Sequence, residues 1–148
     1  MLKVKFKKLY PDAKLPIKGS LHAACFDVYA QSVTYNAKFP NKRYVGLGFA
    51  TEIPEGYRGV LVPRSNFTKH NWIMNNSIGI IDSDYRGEWM AVFTNVTDNA
   101  WLYPFPYEAG ERVAQIYFEK IENVEFEEVD SLNESERGEG GFGSTGTK

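Results

Sequence analysis

The sequence holds one cysteine among its 148 residues, which rules out an internal disulfide and fits a reducing compartment. Its two histidines have no carboxylate or cysteine partners at metal-ligand spacing, so a zinc site built from protein side chains is excluded as an expectation. Charge is nearly balanced, with 17 Lys and Arg against 19 Asp and Glu, so no global field favours nucleic acid or anionic lipid. Any anion site must therefore be local. The first eight residues alternate lysine with apolar side chains instead of forming the apolar run of a signal peptide, and no later stretch approaches membrane-spanning length. The expectation is a cytoplasmic protein. There is no long amphipathic helix, no G-x-S-x-G elbow and no Cys/His nucleophile pattern.

What is present reads as strands. Leu2, Val4 and Phe6 alternate with lysines, and Val124 and Phe126 alternate with Glu125 and Glu127, in each case with the period of a strand wet on one face. Val45 to Ile53, Tyr57 to Val62, Glu88 to Asn95 and Arg112 to Phe118 are short runs rich in β-branched and aromatic residues. Pro54-Glu55-Gly56, Tyr85-Arg86-Gly87 and Ala109-Gly110 punctuate them as turns. Ser65 to Trp72 is long enough for a helical turn or two, with Ser65 as a cap. The fold class expected is all-β, a jelly-roll-like barrel or sandwich of many short strands. Residues 1–129 form the body and 130–148 a flexible C-terminal arm.

That arm holds Arg137, then Gly-Glu-Gly-Gly, Phe142, Gly143, Ser144, Thr145 and a further glycine. Glycine loses the most backbone freedom on ordering, so such a segment needs an outside partner before one conformation wins. Successive N–H groups, two hydroxyls and a planar cation suit phosphate oxygens, and the Phe142 ring suits a flat base. The arm contains G-x-G-x-x-G letter for letter, yet the chain ends two residues later. No helix can follow, so neither a Rossmann fingerprint nor a Walker A loop is in its required context.

Upstream, Ile78 to Gly87 brings two carboxylates, a tyrosine and an arginine into one turn. Asp82 follows Ile80-Ile81, which places its carboxylate at a core boundary suited to a general base; an Asx-turn is the structural alternative. Pro63-Arg64-Ser65 ends a strand with a cation and a hydroxyl, equally readable as phosphate donors or a simple cap. Gly110 to Gln115 adds a second cation, Arg112, and an amide. Cys25 and the three tryptophans read as apolar filling.

Taken in order, Ala24-Cys-Phe-Asp-Val-Tyr29, Pro63-Arg-Ser65, Gly79-Ile-Ile-Asp-Ser-Asp-Tyr-Arg-Gly87, Gly110-Glu-Arg-Val-Ala-Gln115 and Arg137 to Gly146 resemble the five motifs of the trimeric dUTPase family. The resemblance implies a homotrimer whose sites lie between subunits, each completed by another subunit's arm, with dUTP hydrolysed to dUMP and pyrophosphate. It implies that Asp82 activates the water and that Asp27 supports the site. Asn76, in a hairpin before Asp82, would read uracil, and Tyr85 would pack on deoxyribose and exclude a 2′-hydroxyl. Arg64, Ser65 and Gln115 would hold phosphates. Arg137, Ser144 and Thr145 would close over the γ end, with Gly143 in the same loop and Phe142 stacked on uracil. Mg2+ would be carried by the triphosphate and waters, with no protein metal ligand. Cys25-Phe26, Asn66-Phe67-Thr68 and the long aromatic stretch 96–108 depart from the usual family pattern. The competing readings are a non-catalytic nucleotide-binding regulator on the same fold and a dCTP deaminase. The deaminase needs a glutamate where this chain has Val92.

Overall fold

In the computed structural model, which describes residues 1–97 and 104–141, the regular structure among the described residues is antiparallel β, apart from one short 3-10 helix. The strands are β1 (Lys5–Lys8), β2 (Phe26–Tyr29), β3 (Ser32–Asn36), β4 (Phe39–Gly46), β5 (Phe49–Glu52), β6 (Tyr57–Pro63), β7 (Trp72–Met74), β8 (Gly79–Ile81), β9 (Met90–Asn95) and β10 (Arg112–Lys120). One four-stranded sheet has the order β2-β10-β6-β8, a second has β3-β4-β9-β7, and β1 pairs with β5. This is the all-β, jelly-roll-like arrangement that the strand pattern predicts.

The two larger sheets share a single core. Val28, Leu61, Val113 and Ile116 come from the first, and Val45, Ala91 and Phe93 from the second. Strand β9 shows why these sequences form strands: Ala91, Phe93 and Asn95 alternate inward while Met90, Val92 and Thr94 face outward or remain half-covered. Trp89, just before β9, is fully buried, and its indole N–H donates to Thr51 Oγ1 at 3.0 Å, so its one polar atom is satisfied inside the core. A Cβ on Gly59 would lie 2.4 Å from the Trp89 ring, so this strand must carry glycine where the indole crosses it.

Several expectations are corrected. The run Val45 to Ile53 is two strands, β4 and β5, interrupted at Leu47-Gly48. Ser65 does not cap the helix (Ser65–Lys69): Arg64 occupies the cap position without a side-chain cap bond, and Ser65 offers its carbonyl to Thr68 Oγ1 instead. Residues 75–78 do not close a hairpin, because β7 pairs with β9 in one sheet and β8 with β6 in the other. They form a sheet-switching turn, with Ser77 N–H donating to Met74 O at 3.0 Å and Ser77 at φ 57°. Cys25 is half-buried rather than a core residue.

Val124 to Glu127 carries strand alternation but forms no strand; the last ladder residue is Lys120, and Ile121 N–H donates to Gly56 O. Val124 and Phe126 are exposed, the latter to 93%. Phe142, Gly143, Ser144 and Thr145, and part of the 96–108 stretch, lie outside the described residues.

Candidate active site

Asp27 sits on β2 opposite Gln115 of β10, and Gln115 in turn pairs with Val62 of β6. Three adjacent strands thus deliver a carboxylate, an amide and, one residue past the end of β6, the Arg64 side chain to one place. Arg64 Nε donates to Asp27 Oδ1 at 3.1 Å, Gln115 Nε2 to the same oxygen at 3.2 Å, and Arg112 Nη1 to Oδ2 at 3.1 Å. Arg64 Nη1 also donates to the Arg112 carbonyl at 3.1 Å.

The Asp27 carboxylate is 5% exposed, and a buried carboxylate is tolerable only when its oxygens are paired in this way. Two guanidiniums face one carboxylate, so the cluster carries a surplus positive charge. Both arginine side chains remain partly exposed, at 24% and 45% for Arg64 and Arg112. Fixed, planar cations reaching solvent beside an amide form a local anion site in a chain with no global positive field.

Sequence reasoning pointed to Asp27, Arg64 and Gln115, and the structure brings them together. It left Arg112 outside the site, as a cation at a strand end. The signal lay in its strand: Arg112 precedes Gln115 on β10, and the β2–β10 register shifts between Arg112 and Ala114, which lets both side chains reach Asp27. Only pairing over 85 residues of sequence reveals this.

Next to this cluster a groove of about 440 Å³ runs over Arg64, Ser65, Thr68, Trp72, Met74 and Ser77. Ser65 is exposed in it, and Asn76 lies exposed on the sheet-switching turn beside it.

Asp82 does not join the cluster. Strand β8 is an edge strand; Ile80 is half-exposed, Ile81 packs against the core, and Asp82 next to it is exposed in the single chain. Its turn closes through Tyr85 N–H donating to Asp82 O at 3.2 Å, a backbone turn rather than an Asx-turn. Asp82 is one residue beyond the Gly59–Ile81 pair, whereas Asp27 lies in the Val62 row on the far side of β10. The two carboxylates are therefore three strands apart, roughly 14 Å across the sheet, and at least three residues apart along it, roughly 10 Å.

Tyr85 is half-exposed on the same turn. Its hydroxyl donates to the Glu88 carbonyl at 3.1 Å, and a Cβ on Gly87 would come within 2.3 Å of that hydroxyl. Gly87 thus leaves the space the ring occupies. Arg137, on the arm, donates from Nε to the Gly140 carbonyl at 2.8 Å, and the arm closes small turns on itself, away from the Asp27 cluster's hydrogen bonds.

Comparison with known proteins gives the chain its family. A sequence model described as dUTPase matches residues 11–146. The deoxyuridine 5′-triphosphate nucleotidohydrolase of Nautilia profundicola is 38% identical over 146 residues, covering 98% of this chain and 99% of the relative. The protein of the same name from Syntrophotalea carbinolica is 38% identical over 145 residues, covering 97% and 96%. Among solved structures, a Staphylococcus bacteriophage 80alpha dUTPase variant with dUpNHpp superposes with a TM-score of 0.79 at 24% identity, over 98% of this chain and 99% of that one. A dUTPase variant of phage phi11 of S. aureus, described with a coordinated structural Mg(II) ion, has a TM-score of 0.68 at 19% identity, over 88% and 98%. The structural likenesses speak to the fold; the sequence matches, spanning nearly the whole chain, establish that it belongs to the dUTPase family and is a dUTP diphosphatase.

Proposed function

We propose that the chain hydrolyses dUTP to dUMP and pyrophosphate by water attack on the α-phosphorus, in a site shared between subunits of a homotrimer. The observation that carries this is the separation just described: a paired cationic cluster at one end of the sheet and the Asp82 turn roughly 10 Å along it and three strands away. A carboxylate must hold its water within hydrogen-bond reach of the attacked phosphorus. One chain's Asp82 and the same chain's cluster cannot both do so, but the cluster of one copy and the Asp82 turn of another can.

The tail supports assembly. Val124 and Phe126 keep the alternation of a strand and are exposed, which suits pairing on a neighbour. In this reading residues 130–148 act as an arm that reaches a neighbouring subunit, with Arg137 and the segment from Phe142 to Thr145 closing over the bound nucleotide.

Each residue then has a physical task. Asp82 accepts the proton of the attacking water; the bond from the α-phosphorus to the bridging oxygen breaks, and pyrophosphate leaves. Arg64, Ser65 and Gln115 hold phosphate oxygens, and Asp27 fixes Arg64 and Gln115 in place. Such a reaction asks little covalent help from protein and much in-line positioning and charge compensation. Tyr85 packs on deoxyribose and leaves no room for a 2′-hydroxyl, and Asn76 reads uracil. Phe142 stacks on the base.

Among the described residues no group of three or more His, Cys, Asp or Glu converges as a cation site. In this reading a Mg2+ would be held by triphosphate oxygens and waters, where it would neutralise phosphate charge. No helix among the described residues is long and apolar enough to cross a membrane, and a cytoplasmic location is part of the proposal.

The test is incubation with dUTP and Mg2+ and identification of the products. Equimolar dUMP and pyrophosphate from the native chain, lost in Asp82→Ala, supports the reading. Undiminished pyrophosphate release by that variant refutes the assigned base.

A further inference from the structure

The helix that follows Arg64 is only five residues long and lacks a side-chain cap, so it has little stability of its own. Its backbone closes with Phe67 N–H donating to Arg64 O and His70 N–H to Phe67 O, both at 3.0 Å. What fixes it is aromatic packing from elsewhere. Phe67 is buried and stacks on Phe93 of β9, with centroids 4.5 Å apart and planes within 3°. Tyr107, itself buried, lies 4.9 Å from the Phe67 ring, and Phe105 closes the far side at 6.3 Å. Phe93 belongs to the second sheet, so this box ties a turn at the end of the first sheet to the opposite layer.

One polar contact gives the box a direction. Asn66 Nδ2 donates to Tyr107 Oη at 2.9 Å. Asn66 directly follows Ser65, so the bond sets the rotation of the turn that carries the Ser65 hydroxyl. Arg64, on the other side of Ser65, is already pinned through Nε to Asp27. The Arg64–Ser65 unit is thus clamped at both ends, by a carboxylate before it and a phenol after it.

We propose that Tyr107 is a positioning residue for dUTP hydrolysis: through Asn66 and Phe67 it holds the Arg64–Ser65 turn in the orientation that meets substrate phosphate oxygens. This rests on the reading of Arg64 and Ser65 as phosphate donors. Tyr107 does not touch substrate in this account. A rotation of the turn by a fraction of an ångström shifts the Ser65 hydroxyl relative to a fixed nucleotide, and in-line phosphoryl chemistry is sensitive to such displacement.

Tyr107→Phe keeps the ring in the box and removes the acceptor, and Asn66→Ala removes the donor at a partly exposed position that should not disturb folding. The experiment measures dissociation constants for deoxyuridine and for dUDP on both variants and on their double variant, with thermal midpoints recorded alongside. Expected is a weakening of about fivefold for dUDP in each single variant, the scale of one hydrogen bond, with deoxyuridine binding unchanged. The double variant should lose no more than either single one, because both sever the same contact. Equal weakening of both ligands, unchanged dUDP binding, or additive losses in the double variant would overturn the proposal. Ser65→Ala run in parallel separates the underlying reading: if it leaves dUDP binding intact, the phosphate role of the turn itself fails; if it weakens dUDP while Tyr107→Phe does not, only the positioning role fails.

Discussion

Arg64 Nε donates to a carboxylate oxygen of Asp27 at 3.1 Å, joining the end of β6 to β2 across the intervening β10. The carboxylate is buried and the guanidinium is not, so the pair orients a cation toward solvent rather than cementing a core. Asp27→Asn keeps the shape and removes the charge that Arg64 and Arg112 share. Breaking such a buried pair should cost about 3 kcal/mol of stability, and kcat/KM should fall by about a hundredfold as the donors lose their orientation. Denaturant titration and steady-state kinetics on the same preparation check both.

Asp82 is expected to behave in the opposite way. Its side chain is exposed, so Asp82→Ala should leave the denaturation midpoint of the chain nearly unchanged. Turnover should drop by at least about a hundredfold, the usual contribution of a positioned base, with nucleotide binding largely retained. A variant that loses binding and stability together would make the residue structural.

Gly87→Ala places a methyl group 2.3 Å from the Tyr85 hydroxyl, so the ring must leave its position over the turn. The bond to the Glu88 carbonyl is lost with it. If that ring excludes a 2′-hydroxyl, the ratio of kcat/KM for dUTP over UTP should fall by about tenfold or more, with the fold intact by circular dichroism.

Lys5 and Glu52 face each other in the β1–β5 register, with Nζ to Oε1 at 2.6 Å. The hydrogen bond from Lys5, followed by its charge, holds the Glu52 carboxyl below its ordinary range. A lowered acid contributes stability above its unfolded pKa and loses it as pH falls through the folded value. The pair is solvent-exposed, so the effect should be slight and should vanish in high salt. Comparing acid denaturation of the native chain and Glu52→Gln at low and high ionic strength measures it.

Local pattern made some of this visible and topology hid the rest. Tyr57 to Val62 and Arg112 to Phe118 announce β6 and β10 because they are β-branched and aromatic runs in the middle of a sheet. Strands β2, β3, β7 and β8 are only three to five residues long, too short for periodicity to stand out among charges and turns. Val124 to Glu127 shows the converse: alternation is plain, yet no strand forms there, because alternation marks a wet and a dry face without specifying a pairing partner. Asp27, Arg64 and Gln115 are legible by motif and meet in the structure, whereas of the Ile80-Ile81 pair before Asp82 only Ile81 packs against the core. Arg112 belongs to the site because β10 lies between β2 and β6, a placement that only the sheet topology gives.

Subunit complementation tests the shared site most directly. Two inactive variants, Asp82→Ala and Arg64→Ala, are unfolded together, refolded as a mixture and assayed for pyrophosphate release from dUTP. If the cationic cluster of one chain serves the Asp82 turn of another, mixed assemblies contain some sites with both parts native, and activity should return to a sizeable fraction of the native level. A mixture no more active than its two components refolded separately would contradict the account.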